Sequence, residues 1–295
     1  MKRKQYIIFM TFLLLFLWVF SSTAGAASAL EYDGIYGEGE TEMTLATGSP
    51  GSLGLLETLA EPFCLKNNCR IRWIKRGSGA SLNALKSGEA DVIIVHAPEA
   101  EIEAVKAGWA AGRTLIGGNE FFIVGPASDP AGIRNASSAA DAYLKIAISK
   151  SLFFTRNDNS GTHKKERIIW KKTGLKPSGA WYAATNDFMG PTLMKADKEK
   201  GYFMTDSSTW YAKKDEIKNL EILYSGDPLL INVYHALIAP ESKVDKEISK
   251  LATGFVEFVK SVEGQKIIEG FGKDKYGFAL YMDAKEAASA EHRTQ

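Results

Sequence analysis

Cysteine is scarce in this 295-residue chain, which has two, and histidine nearly so, with four. Two cysteines cannot build the dense disulfide framework of a small secreted domain. Cys64 and Cys69, in "CLKNNC", lack zinc-site spacing, and none of His96, His163, His235 and His292 stands beside them to complete a site. Also missing are a Gly-x-Ser-x-Gly elbow, a His-Glu-x-x-His helix and the lysine and spacing of a nucleotide P-loop. An excess of one charge is absent too: 36 basic residues face 35 acidic ones, a formal net charge of +1. What is present, 45% hydrophobic and 24% charged residues, suits a globular chain of one large domain or two lobes.

The first 26 residues are expected to be a signal peptide. Lys2, Arg3 and Lys4 precede an almost wholly apolar run over residues 6–20, and Ala24-Gly25-Ala26 offers a small-residue cleavage site. The alternative is a retained membrane anchor, for which the run falls short of the about 20 residues a span needs. No cysteine near the cleavage site indicates a lipid anchor. Loss of the three leader charges takes the formal charge from +1 to −2, so the mature protein has no overall basic field to attract nucleic acid or anionic lipid. Any anion must be held by a local site. Export places the protein in a periplasmic or extracytoplasmic compartment, where a Cys64–Cys69 disulfide is expected and free thiols are the alternative.

The body alternates strands and helices. "RIRWIK" (70–75) reads as a strand, the turn Gly77-Ser78-Gly79 follows, and Leu82 and Leu85 mark a helix over 80–87 that Gly88 ends. "DVIIV" (91–95) is a short continuous apolar run suited to a buried parallel strand. Upstream, 44–47 leads through "GSPGSLG" into a helix whose face carries Leu55, Leu56, Leu59 and Phe63, with Pro62 expected to bend or end it. "FFIVG" (121–125), 152–155, 202–205, 220–224 and "LLINVYHALI" (229–238) are further strands; a helix follows Ser160, and another runs from Asp245 through Phe258. This predicts a two-lobed α/β protein with a ligand cleft where strand ends and helix N-termini converge. The expected division is lobe I from 27–125 and 235–283, lobe II from 126–234, and a frayed polar tail over 284–295.

Three strand-to-helix turns carry the chemistry of an anion site. In "TRNDNSGTHKKE" (155–166), Ser160, Gly161 and Thr162 stand where a helix begins. Free N–H groups at a helix start behave like roughly half a positive charge, and glycine lets an oxyanion approach the backbone. Hydroxyls of Ser160 and Thr162 can donate, Arg156 offers a charge-assisted fork, and Lys164 and Lys165 raise the local potential. The alternative is that Ser160 or Thr162 only caps the helix and Arg156 pairs with Asp158. The second turn offers Thr47, Ser49 and Ser52, and the third Ser78; each alone suits an ordinary turn, but together the fold would aim them at one cleft. His163 is the histidine placed to act as a base there, though a surface position in the first turn is the expected one.

With "GEADVIIVHAPEAE" (88–101), "FFIVGPASDPAGI" (121–133), "RNDNSGTHKKE" (156–166), "MGPTL" (189–193) and "TDSSTW" (205–210) in this order, the chain resembles the periplasmic tungstate-binding proteins of tungstate ABC transporters, type II periplasmic binding proteins. The resemblance covers about residues 44–240. It implies an oxyanion captured between lobes and handed to a membrane permease, with Arg156, Ser160 and Thr162 matching the anion-binding segment and Ser78 the residue type of the glycine turn. Two stretches depart: "ATGSPGSLGLL" keeps only Thr47, Ser49 and Ser52 where the family has a run of threonines ending in serine, and Ser207 stands where relatives tend to have a basic residue. The expectation is a monomeric receptor, no enzyme, with no cofactor and tungstate or a similar oxyanion as ligand. Molybdate, phosphate or another anion is the alternative ligand; a phosphate-ester hydrolase and an organic-acid sensor or adhesion module are the alternative functions.

Overall fold

The computed structural model describes residues 31–292, and from Tyr32 these form one compact unit. The expected signal peptide, 1–26, lies outside the described residues.

The first half builds a parallel sheet. After β1 (Gly34–Tyr36) come β2 (Thr41–Thr47), α1 (Ser49–Ser52), α2 (Leu55–Asn67), β3 (Cys69–Lys75), α3 (Ser78–Ser87), β4 (Val92–Val95) and α4 (Pro98–Lys106). β2 pairs in parallel with β3 and β4, while β1 adds antiparallel to β3. Side chains alternate between two cores as strand geometry requires: Met43, Leu45, Ile71, Trp73, Val92 and Ile94 enter one, Ala46, Ile74, Ile93 and Val95 the other. Both faces are therefore covered, which is why "DVIIV" is apolar throughout. Gly88, at φ 80°, ends α3 in the left-handed conformation that glycine adopts without penalty. α2 continues past Pro62, which therefore does not end it. Leu55, Leu56, Leu59 and Phe63 all bury in the first core, and that burial outweighs one lost backbone bond.

The second half is built on β5 (Ala111–Pro126), much longer than "FFIVG" suggested. After it come α5 (Ala139–Ser149), β6 (Phe153–Thr155), α6 (Gly161–Thr173), β7 (Tyr182–Ala184), α7 (Met189–Glu199), β8 (Phe203–Asp206), α8 (Ser207–Lys213), β9 (Leu220–Tyr224) and β10 (Ile231–Ile238). The early part of β5 pairs with β10, which also pairs with β4; its later part, from Phe121, pairs with β8 and β9. A third core, from Phe121 to Leu230, fills this second lobe with Tyr143, Phe153, Phe154, Trp170 and Tyr202. β5 and β10 thus run from one lobe into the other.

The chain then returns to the first lobe through α9 (Lys246–Lys260), α10 (Val262–Gly270), α11 (Lys273–Tyr276) and β11 (Met282–Asp283), and ends in α12 (Ala284–His292). Where a frayed tail was expected over 284–295, residues 284–292 are helical, with Ala287 and Ala290 buried. Two small residues on one face suffice to dock a helix that has no large apolar side chain.

Cys64, near the end of α2, and Cys69, opening β3, are both buried with Sγ atoms 2.7 Å apart, and both are free thiols. That adjacency puts the two sulfurs where the expected disulfide would form.

Candidate functional site

A cavity of about 180 Å³ opens at the ends of β2, β3 and β4 and is closed from the other side by the turns after β6 and before α7. By a similar measure a single water needs only roughly 10–15 Å³. Six of the eight residues singled out from sequence line it: Thr47, Ser49, Ser52, Ser78, Arg156 and Ser160. Gly161 and Thr162 do not; they form the first turn of α6, directly behind Ser160. Thr162 is 1% exposed, and its Oγ1 has no hydrogen-bond partner.

The hydroxyls differ in what they can still donate. Ser78 Oγ accepts the His96 N–H at 3.2 Å, and Ser160 Oγ accepts the His163 N–H at 3.3 Å as the cap of α6. Each keeps its own proton for a further acceptor. Thr47 cannot serve that way, because its Oγ1 donates to the Ile94 carbonyl at 2.9 Å. In this structure Thr47 lines the cavity while bracing β2 on β4. Thr209 is likewise committed, donating from Oγ1 to Asp206 Oδ2 at 2.8 Å.

Arg156 is 4% exposed, donating from Nε to the Asp187 carbonyl at 3.1 Å and from Nη2 to Asp158 Oδ2 at 2.5 Å. Asp158 Oδ1 accepts the Ser160 N–H at 3.1 Å, so the carboxylate holds the turn together as well as pairing the arginine. The cap and the ion pair raised as the alternative reading are both present, yet both residues still face the cavity, since Nη1 is left over.

The sequence reading missed Lys75, His96, Phe188, Thr209, Lys213 and Tyr234, which also line the cavity. Lys75 Nζ sits 4.4 Å from the Phe188 ring centre, and Arg156 approaches the same ring at 6.0 Å. Lys75, Arg156 and Lys213 are the charged residues of the lining, which contains no aspartate or glutamate. His96 is half-buried, and loss of hydration pushes its imidazole below the ordinary histidine range. Its Nδ1 lies 2.8 Å from Asn232 Oδ1, Asn232 Nδ2 donates to Asn119 Oδ1 at 2.7 Å, and Asn119 Nδ2 donates to Ser208 Oγ at 3.1 Å. Of the missed residues, His96 and Thr209 stood in recognisable stretches, "GEADVIIVHAPEAE" and "TDSSTW", and Phe188 directly before "MGPTL". Lys75 and Lys213 had no local signal, because their convergence is a product of topology.

Three other residues prove peripheral. His163 is half-buried and accepts the Asn159 N–H on Nδ1 at 3.1 Å, and burial lowers its pKa. Lys165 Nζ donates to the Ile231 carbonyl at 3.0 Å, a bracing contact to β10 rather than the anion-directed charge expected. Ser207 lines a separate groove with Glu120 and Glu286.

Comparison with known proteins agrees with this architecture. A family model described as a PBP superfamily domain matches residues 23–263. Tungstate-binding protein TupA of Peptoclostridium acidaminophilum is 34% identical over 254 residues, 83% of this chain and 88% of that protein. The crystal structure of the tungstate ABC transporter from Geobacter sulfurreducens superposes with a TM-score of 0.72 at 35% identity, covering 79% of this chain and 100% of that chain. The tungstate-binding protein TupA from Desulfovibrio alaskensis G20 gives 0.68 at 36% identity, covering 83% and 99%. With these matches and a cleft formed between the lobes of an α/β fold, the chain belongs to the PBP superfamily, in its type II periplasmic-binding-protein form.

Proposed function

We propose that this protein is an exported receptor that captures tungstate between its lobes and delivers it to the permease of an ABC transporter. The observation that carries the reading is the lining of the cavity: three cations, no carboxylate, and two hydroxyls whose protons are uncommitted. A tetrahedral oxyanion presents only acceptors, so a selective site offers only donors. Ser78, Ser160, Arg156 and the N–H groups that open α6 supply them, with Ser49, Ser52 and Lys75 at the rim. Gly161 and Thr162 contribute through their backbone, at the positive end of a helix of 13 residues. Relatives named as tungstate-binding proteins support tungstate as the ligand.

The receptor acts as a monomer whose two lobes close about β5 and β10. Export of the mature chain follows removal of residues 1–26, and among the described residues no helix is long and apolar enough to cross a membrane. Oxidation of Cys64 and Cys69 in that compartment closes the turn between α2 and β3. The protein binds without turnover: His96 is held by Asn232, and His163 turns its Nδ1 to the Asn159 backbone.

Calorimetric titration of the mature protein with tungstate, molybdate, sulfate and phosphate in parallel tests the reading. Expected is one site per chain, with tungstate tightest and molybdate near it. A carboxylate ligand that binds where all four oxyanions fail overturns the reading in favour of an organic-acid sensor.

A further inference from the structure

Beside the cavity the lobes meet through bare backbone. A Cβ placed on Gly161 would lie 2.6 Å from Cε1, Nδ1 and Nε2 of His96. Equal distances to three ring atoms put that point over the face of the imidazole, so the first residue of α6 lies flat on the ring. The ring has little room to yield. Asn232 holds its Nδ1 at 2.8 Å, Tyr234 lies under it with centroids 4.9 Å apart and planes 30° apart, and Phe121 follows at 6.2 Å. Asn232 and Tyr234 belong to β10 and Phe121 to β5, so His96 is anchored to the two strands that link the lobes. A second approach runs parallel to the first: a Cβ on Gly79 would lie 2.5 Å from Asn159 Nδ2 and 2.6 Å from the Asn159 carbonyl oxygen.

We propose that the contact of Gly161 on the His96 ring is a mechanical stop that sets how far the lobes close, and through that distance selects the anion by size. This inference rests on the oxyanion-receptor reading. Ser160, the residue before Gly161, faces the cavity and caps α6, and Arg156 lies on the same turn. The stop therefore fixes the separation between these donors and Ser78 on the opposite lobe. A smaller dianion such as sulfate cannot draw the lobes closer to regain contacts it fails to make, because the backbone of Gly161 already rests on an immobile ring. Tungstate, with longer bonds from metal to oxygen, spans the fixed gap. Discrimination between anions of equal charge then comes from a distance built into the protein, which electrostatics alone cannot supply.

The test is a bump-and-hole series measured by calorimetry with tungstate and sulfate, each variant first checked for cooperative thermal unfolding. Gly161→Ala introduces the clash and is expected to weaken tungstate at least tenfold. His96→Ala in the Gly161→Ala background makes room for the added methyl and is expected to recover at least threefold of that loss. His96→Ala alone lowers the stop and is expected to reduce the tungstate-to-sulfate affinity ratio at least fivefold. Should Gly161→Ala not fold, Gly79→Ala tests the parallel contact with the same expected weakening. Wild-type affinity in the glycine variant that folds, or an unchanged anion ratio in His96→Ala, overturns the stop alone. A wild-type protein that binds none of the oxyanions overturns the receptor reading and the stop with it.

Discussion

Glu101 and Glu166 each lie in a helix that follows a cavity-lining turn, α4 after His96 and α6 after Ser160, and both are almost wholly withdrawn from water. In the first lobe Glu101 is matched by charge: Oε2 accepts Arg113 Nε at 2.9 Å and lies 3.1 Å from His235 Nδ1, while Oε1 accepts the Ala97 N–H at 2.6 Å. In the second lobe Glu166 meets neutral donors, Oε1 accepting from Tyr182 Oη at 2.5 Å and Trp170 Nε1 at 3.2 Å. Burial pushes the Glu166 carboxyl up to about 7, with those hydrogen bonds opposing the shift. The cavity-facing charges differ in the opposite sense. Lys75 of the first lobe has no ion pair among the described residues, whereas Arg156 and Lys213 of the second are paired with Asp158 and Glu216. One wall thus presents an open charge on a balanced support; the other presents balanced charges on a support that titrates.

The largest expected effect is on the balanced support. Glu101→Ala leaves Arg113 and His235 without their buried anion and releases the Ala97 N–H that positions the His96 turn. Losing one partner of a buried pair costs about 3–5 kcal/mol, to be read from urea unfolding near pH 7. A loss under 1 kcal/mol would show that Glu101 is not the fixed point of this wall.

Glu166 should instead make stability depend on pH. Its folded pKa lies above the ordinary value of 4.5, so the native state holds the proton more tightly than the unfolded chain. Below about pH 4.5 both states are protonated and there is no penalty. As pH rises toward 7 the unfolded state ionises first and stability falls, by about 3 kcal/mol in total at 1.36 kcal/mol per unit. Glu166→Gln keeps an acceptor for Tyr182 and Trp170 and removes this dependence, so the variant should be more stable than wild type at pH 8 and closely similar at pH 4.5. Parallel curves for the two proteins across that window would mean that Glu166 stays ionised.

How much of this was legible differs between the lobes for physical reasons. "DVIIV" and "RIRWIK" were readable as strands because burial on two faces leaves a continuous apolar run or a near alternation. The first part of β5 was not readable: Gly117 and Gly118 break the pattern, since a Cβ there would lie 2.8 Å from the Met282 carbonyl and 2.9 Å from that of Asn232. Close passage of neighbouring strands demanded residues that look like a turn. The helix α12 escaped notice because only Ala287 and Ala290 mark its buried face. In the site, Ser78, Arg156 and Ser160 were legible because each sits in a local strand-to-helix turn with its own chemical logic. The brace Thr47 provides was not legible, because it depends on a carbonyl 47 residues away.

Arg156→Ala comes next in size and acts on binding rather than folding. The guanidinium is a buried donor with capacity left after Asp158 and Asp187, and its loss also exposes the Asp158 charge to an incoming anion. A charge-assisted bond is worth about 1.5–3 kcal/mol, so tungstate affinity should fall roughly tenfold or more. An unchanged calorimetric affinity would remove arginine from the site and leave it wholly spent on its ion pair.

The smallest effects separate the two open-facing lysines. Lys213 shares its charge with Glu216, and both are well exposed, at 38% and 53%; exposed pairs contribute about 0–1 kcal/mol. Lys75 has no such partner and stands over Phe188, which directs its ammonium toward the cavity. Lys75→Ala should therefore weaken tungstate more than Lys213→Ala does at low salt. Both differences should shrink toward zero near 1 M salt, where the screening length is about 3 Å. If Lys213→Ala proves the costlier change, Glu216 does not neutralise it when the anion arrives, and the second wall is the more strongly charged of the two.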